Sequence, residues 1–291
     1  MTRFYSLAAA LAATLFAGAA MSAEVKGAGD LTVTPQWLAA HINDPDLVVL
    51  HVGGGYSHKH IPGARYVSLD DIAVDSGGLS LQMPAPADLK ARLEKLGLSD
   101  ASHIVVYSSD KDLSPATRVV FTLYAAGLGD RTSLLDGKWT GPTSDKAPPV
   151  TAGHLSDLHM LPVIVDQAFV KAHLAAPGYA IIDARAKVFY DGLQPGGPMM
   201  HMKLGHIPGA HSLPYASFTN PDQTLKTPDE ARALFAAAGI KPADHVIAYC
   251  HIGQQATEVL FAAREAGIDA VLYDGSFEDW AIHDQPVAKD R

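Results

Sequence analysis

The chain has 291 residues, 48% hydrophobic and 18% charged, with a formal net charge of −9. That composition suits a packed globular protein of about two ordinary domains and excludes a disordered chain. The acidic balance, with no long Lys/Arg run, argues against nucleic acid as a partner, and a single cysteine excludes an internal disulfide or a multi-cysteine metal site.

The N-terminal stretch "MTRFYSLAAALAATLFAGAAMSAE" starts positive at Arg3, is apolar from Leu7 to Ala20, and carries small residues at Ala19 to Ala23. This is the pattern of a secretory signal over residues 1–23, so a periplasmic protein is expected and these residues stand apart from the fold. The apolar run is too short to span a bilayer comfortably, so no stable membrane insertion is expected after signal cleavage; an uncleaved anchor is the alternative. A lone thiol in an oxidising compartment points to chemistry of its own.

Further along, four segments return in the same order. "TPQWLAAHINDPDLVVLHV" (34–52) lies over "DQAFVKAHLAAPGYAIIDA" (166–184), pairing Trp37 with Phe169, His41 with His173 and His51 with Asp183. "KHIPGARYVSLDD" (59–71) matches "GHIPGAHSLPYAS" (205–217), "HIVVYS" (103–108) matches "HVIAYC" (245–250), and "LLDGKW" (134–139) matches "LYDGSF" (272–277). The chain is a tandem duplication. Its copies are placed at 30–143 and 161–291, with a Pro/Gly/Ser-rich linker at 144–160. In the second copy, "AIID" (180–183), "VIAY" (246–249) and "VLY" (271–273) read as buried strands. "TPDEARALFAAAG" (227–239) reads as a helix with Thr227 as N-cap, Pro228 at the first helical position, Glu230 closing a capping box and Gly239 at the end. Strands alternating with such helices predict an α/β fold: two tandem domains, each a mostly parallel sheet with helices on both faces.

Cys250 ends the strand "HVIAY", and the helix "ATEVLFAAREAG" follows six residues of loop, "CHIGQQ". A loop that short must curl, so successive N–H groups form an anion-binding nest at a helix N-terminus, with Gly253 supplying the freedom to turn. Such a cradle holds a thiolate and makes it a nucleophile beside an oxyanion site. The bland alternative is a buried Cys acting as a small hydrophobe.

The doubled segments, "GHIPGA" (205–210), "DAR" (183–185), the C-x-x-G-x-x-A-T loop (250–257) and "YDGSFEDW" (273–280) together resemble a two-domain rhodanese, a sulfurtransferase of the thiosulfate and 3-mercaptopyruvate kind. The resemblance implies two rhodanese-like domains, the first catalytically silent. Ser108 stands where Cys250 does, in a loop, "SSDKDLSPAT", that is two residues longer. It also implies that Cys250 takes sulfur from a small anionic donor such as thiosulfate and passes it to cyanide, a thiol or a protein. The persulfide is then held by the loop residues His251, Ile252, Gly253, Gln254, Gln255 and Ala256, with Thr257 capping the loop or lining its rim. No metal and no cofactor is implied.

Arg185 either helps to bind the anion or forms a structural pair with Asp183. The well-known family enzymes carry an arginine shortly after this motif; here Phe189 takes that place, which weighs against mercaptopyruvate more than against thiosulfate. His251, the only titratable loop residue, is expected to carry partial charge near neutrality. "PGGPMMHMKLGH" (195–206) reads as an access flap, with a soft-metal site as the lesser reading. His60 and His206 share a repeat position, as do Asp136 and Asp274, so both pairs are read as serving the fold; Trp280 is read as core or cleft wall. The rival functions are a phosphatase or arsenate reductase, disfavoured by loop length and by the lack of a loop arginine, and a sulfur carrier without turnover.

Overall fold

The computed structural model describes residues 30–196 and 203–290. Residues 1–23, read above as a secretory signal, and half of the Met/His-rich insert, residues 197–202, lie outside the described residues. Twelve strands are described: β1 Thr32–Val33, β2 Leu47–Val52, β3 Arg65–Tyr66, β4 Val74–Ser76, β5 Leu79–Gln82, β6 His103–Ser108, β7 Thr132–Leu135, β8 Ile164–Val165, β9 Tyr179–Asp183, β10 His211–Ser212, β11 His245–Tyr249 and β12 Ala270–Tyr273. The α-helices are α1 Pro35–His41, α2 Leu69–Ile72, α3 Pro86–Lys95, α4 Ser114–Leu123, α5 Gln167–His173, α6 Lys187–Tyr190, α7 Pro228–Ala237, α8 Ala256–Ala266 and α9 Ser276–Ile282.

Each copy builds one five-stranded sheet, ordered β1-β7-β6-β2-β3 in the first and β8-β12-β11-β9-β10 in the second. Every pairing in both sheets is parallel. Parallel strands covered on both faces need continuous apolar runs, and "VIAY" in β11 and "VVLHV" in β2 supply them. The register sets Tyr249 beside Asp183, so the turn after β11 and the turn after β9 open at the same sheet edge.

Local sequence explains the element ends. Thr34 and Asp166 cap α1 and α5 by accepting from Trp37 N and Phe169 N. Thr227 and Glu230 form the reciprocal capping box of α7. Each such cap is worth about 1 kcal/mol. The repeat pairing of His41 with His173 is also structural: their Nδ1 atoms lie 2.7 Å from Trp37 O and Phe169 O.

Two apolar clusters flank each sheet, one per face. Helices α4 and α8, which follow the central strands, pack on each other across the boundary between the copies. Phe261 of α8 belongs to the first copy's core and Phe121 of α4 to the second's. Burying each phenyl ring contributes roughly 2 kcal/mol. Among the described residues, no helix is long and apolar enough to cross a membrane.

Candidate active site

Strand β11 delivers Cys250 to the carboxyl edge of the sheet, where open α/β folds place their ligands. Its side chain is 1% exposed. The chain then curls through His251 to Gln255 and enters α8 at Ala256. Gly253 makes that curl possible for two reasons: its φ is +80°, and a Cβ there would lie 2.7 Å from Asp274 O. Among the described residues, none accepts a hydrogen bond from the N–H groups of His251, Ile252, Gly253, Gln254 or Gln255. The first bonds after Cys250 run from Thr257 N to Gln254 O and from Glu258 N to Gln255 O. Five donors in succession without a described acceptor, backed by the positive end of an eleven-residue helix, are chemically suited to receive an anion.

The start of the cradle is fixed by the turn before α9. Cys250 N donates to Ser276 Oγ, whose hydroxyl donates to Tyr273 O, and Cys250 O accepts from Phe277 N. Ser276 holds a φ of +53°, a conformation costly for a residue with a Cβ. The strained residue thus sits at the amide of the chain's one cysteine.

Arg185 takes the structural alternative. Its Nε lies 2.9 and 3.1 Å from Asp183 Oδ1 and Oδ2, and its Nη2 lies 2.6 Å from Asp183 Oδ2 and 2.8 Å from Gly205 O. The guanidinium sits over the Phe277 ring at 4.0 Å and is 1% exposed. Burial, the largest single influence, works to lower its pKa, but the charge and hydrogen bonds of Asp183, with smaller contributions from Tyr249 and Cys250, together outweigh burial and raise it. The cation therefore stands close to the thiol while two of its nitrogens are committed to the protein.

His251 does not carry the partial charge expected of it. Burial first, and the Arg185 charge second, push it down to about 4, so it is neutral at neutral pH. The cause is local packing: Phe189 meets its ring edge-on at 4.8 Å, and Gly196 lies so close that a Cβ there would overlap the imidazole. Phe189, in the family arginine's place, thus brings no positive charge. Thr257 is fully buried, with Oγ1 donating to the loop carbonyl Gln254 O at 2.6 Å and lying 2.9 Å from Thr117 Oγ1 of the first copy.

The repeated residues do serve the fold. His60 and His206 set Nδ1 at 2.6 and 2.8 Å from Tyr56 O and Tyr190 O. Asp136 accepts from Leu225 N, and Asp274 accepts from Met83 N, each across the boundary between the copies. Trp280 is fully buried, with Nε1 donating to Pro286 O. His51 and Asp183, paired by the repeat, play one role in both copies: each bonds the hydroxyl of the central-strand tyrosine, Tyr107 or Tyr249.

Two contributors escaped the sequence reading. Ser276 was hidden because nothing marks a serine that holds a left-handed turn. Arg118 of α4 is fully buried and reaches the cysteine loop from the other copy. Its one signal was a charge inside the otherwise apolar helical run "TRVVFTL". Among the described residues, no group of three or more His, Cys, Asp or Glu side chains is arranged to hold a metal ion.

This architecture, doubled around one cysteine loop, has known relatives. A family described as the rhodanese-like domain matches the chain twice, over residues 34–144 and 166–283. The chain belongs to the rhodanese family, as a tandem-domain sulfurtransferase. A protein named "Probable 3-mercaptopyruvate sulfurtransferase" from Pseudomonas aeruginosa is 32% identical over 283 residues, covering 88% of this chain and 97% of its own. The mouse "Thiosulfate sulfurtransferase" is 28% identical over 271 residues, 85% of this chain and 91% of its own. Among solved structures, that of YnjE superposes with a TM-score of 0.80 at 26% identity, over 90% of this chain and 68% of that one.

Proposed function

We propose that this protein moves sulfane sulfur from thiosulfate to a thiophilic acceptor through a persulfide on Cys250, and that it does so in the periplasm. In the first half-reaction the Cys250 thiolate attacks the outer sulfur of thiosulfate. A Sγ–S bond forms, the S–S bond of the donor breaks, and its electron pair leaves with sulfite. In the second, cyanide or a thiolate attacks the outer sulfur of the persulfide, and the electron pair of the Sγ–S bond returns to Cys250. This is ping-pong covalent catalysis.

The observation that carries the reading is the cradle: five successive N–H donors without a described partner, curled from Cys250 into the N-terminus of α8. Donors fixed before the reaction stabilise a sulfur anion without reorganising. Loop size favours sulfur over phosphate, because six residues enclose less space than a tetrahedral oxyanion needs. Relatives named for 3-mercaptopyruvate keep that donor as a second reading, while Phe189 offers no cation to a carboxylate.

The test is steady-state turnover with each donor and cyanide, followed as thiocyanate for thiosulfate and as pyruvate for mercaptopyruvate. Thiosulfate is expected to support the higher kcat/KM. Mercaptopyruvate turning over faster than thiosulfate contradicts the assigned donor. For export, the mature chain recovered from the periplasm is expected to begin near residue 24.

A further inference from the structure

The copy without a cysteine is in contact with the loop that has one. Arg118 of α4, fully buried, donates from Nη1 to Gly253 O at 2.9 Å and to Asp274 Oδ1 at 2.7 Å, and from Nη2 to Leu81 O at 2.5 Å. Beside it, Thr117 pairs with Thr257, whose hydroxyl lies on Gln254 O, and Ser114 Oγ accepts from Gln254 Nε2. The silent copy's helix thus holds one carbonyl of the cysteine loop directly, that of Gly253, and reaches the next, that of Gln254, through the Thr257 hydroxyl.

A trans peptide points its carbonyl and the next N–H in opposite directions. With Gly253 O drawn toward Arg118, the Gln254 N–H points away from α4 and into the curl that begins at Cys250. With Gln254 O drawn toward Thr257, which Thr117 contacts in turn, the Gln255 N–H is turned the same way. The left-handed φ of Gly253 leaves its peptide free to flip, so an external anchor decides its orientation.

We propose that Arg118 is a positioning residue of the sulfur-transfer reaction, the group through which the silent copy sets the persulfide cradle of the other. The inference rests on the Cys250 persulfide reading. The asymmetry of the pair distinguishes it from ordinary interface packing. The Asp136 and Asp274 clasps occur in both directions across the boundary, but Arg118 has no counterpart: its repeat mate in α8 is Glu258, which accepts from Thr219 of its own copy. A buried guanidinium with Nε unpartnered is an expensive way to glue two helices and an effective way to orient a carbonyl.

The test compares full-length wild type with Arg118→Gln, Arg118→Lys and Asp136→Ala, reading melting temperature and the rate at which Cys250 gains sulfur over a range of thiosulfate concentrations. Arg118→Gln is expected to lower the saturating loading rate about tenfold or more, with little change in the half-saturating concentration. Asp136→Ala removes the mirror-image clasp and is expected to lower the melting temperature while loading at the wild-type rate. Arg118→Lys keeps a charge opposite Asp274 but not the fork; it serves if the glutamine variant does not fold, and it too is expected to load slowly. A folded Arg118 variant that loads like wild type overturns the inference, as does an Asp136→Ala protein slowed to the same degree. Wild type that takes up no sulfur overturns the reading beneath, and this inference with it.

Discussion

At the scale of the residue, Cys250, Gly253 and the Asp183–Arg185 pair do different work, and their variants should separate. Cys250→Ser leaves the cradle but removes a sulfur nucleophile, so turnover is expected to fall by about three orders of magnitude or more with an unchanged melting temperature. Gly253→Ala forces a Cβ into a left-handed position against Asp274 O; unfolding in urea is expected to show a loss of about 1–3 kcal/mol, accompanied by lost sulfur uptake. Arg185→Gln strands the fully buried Asp183 carboxylate without its cation, an expected cost of about 3–5 kcal/mol by the same measurement. His251, pushed down to about 4, is neutral over the working pH range, so His251→Gln should leave the shape of the pH–activity profile between pH 5 and 8 unchanged. The unfolded histidine takes up its proton near 6.5 and the folded one near 4, so its contribution to stability is present above that window and lost as pH falls through it.

At the scale of the element, much of the site was legible before the structure, and the reasons are physical. The strand "HVIAY" and the helix from Ala256 announce themselves by an apolar run and a helical period, which leaves the six residues between them no path but a tight curl. Gly253 and the α7 capping box were readable because backbone conformation is local. What was not legible depends on packing between distant segments. The neutrality of His251 follows from Phe189 and Gly196 closing on it, and the burial of Thr257 from a threonine 140 residues away. The choice between Arg185 as an anion ligand and as a strut turned on where Gly205 O and Phe277 lie, which no spacing in "DAR" encodes.

At the scale of the whole molecule, duplication left two sheets of one topology, packed through α4 and α8 and clasped by Asp136 and Asp274. That boundary also carries a titrating group. Glu258, 2% exposed, is raised to about 7 by burial and then by the nearby Asp112 charge, against a hydrogen bond from Thr219. Its folded pKa lies above its unfolded one, so its contribution to stability is full below about 4.5 and lost as pH rises through 7. Glu258→Gln is therefore expected to stabilise the protein by about 2 kcal/mol at pH 8, with the gain vanishing toward pH 5, in denaturant unfolding at the two pH values. The doubled frame surrounds one cysteine, and intact-protein mass after incubation with thiosulfate examines the sulfur transfer proposed for it directly. The expected result is a gain of one sulfur atom per chain, absent in Cys250→Ser and lost again on adding cyanide; a wild-type mass unchanged by thiosulfate contradicts the mechanism.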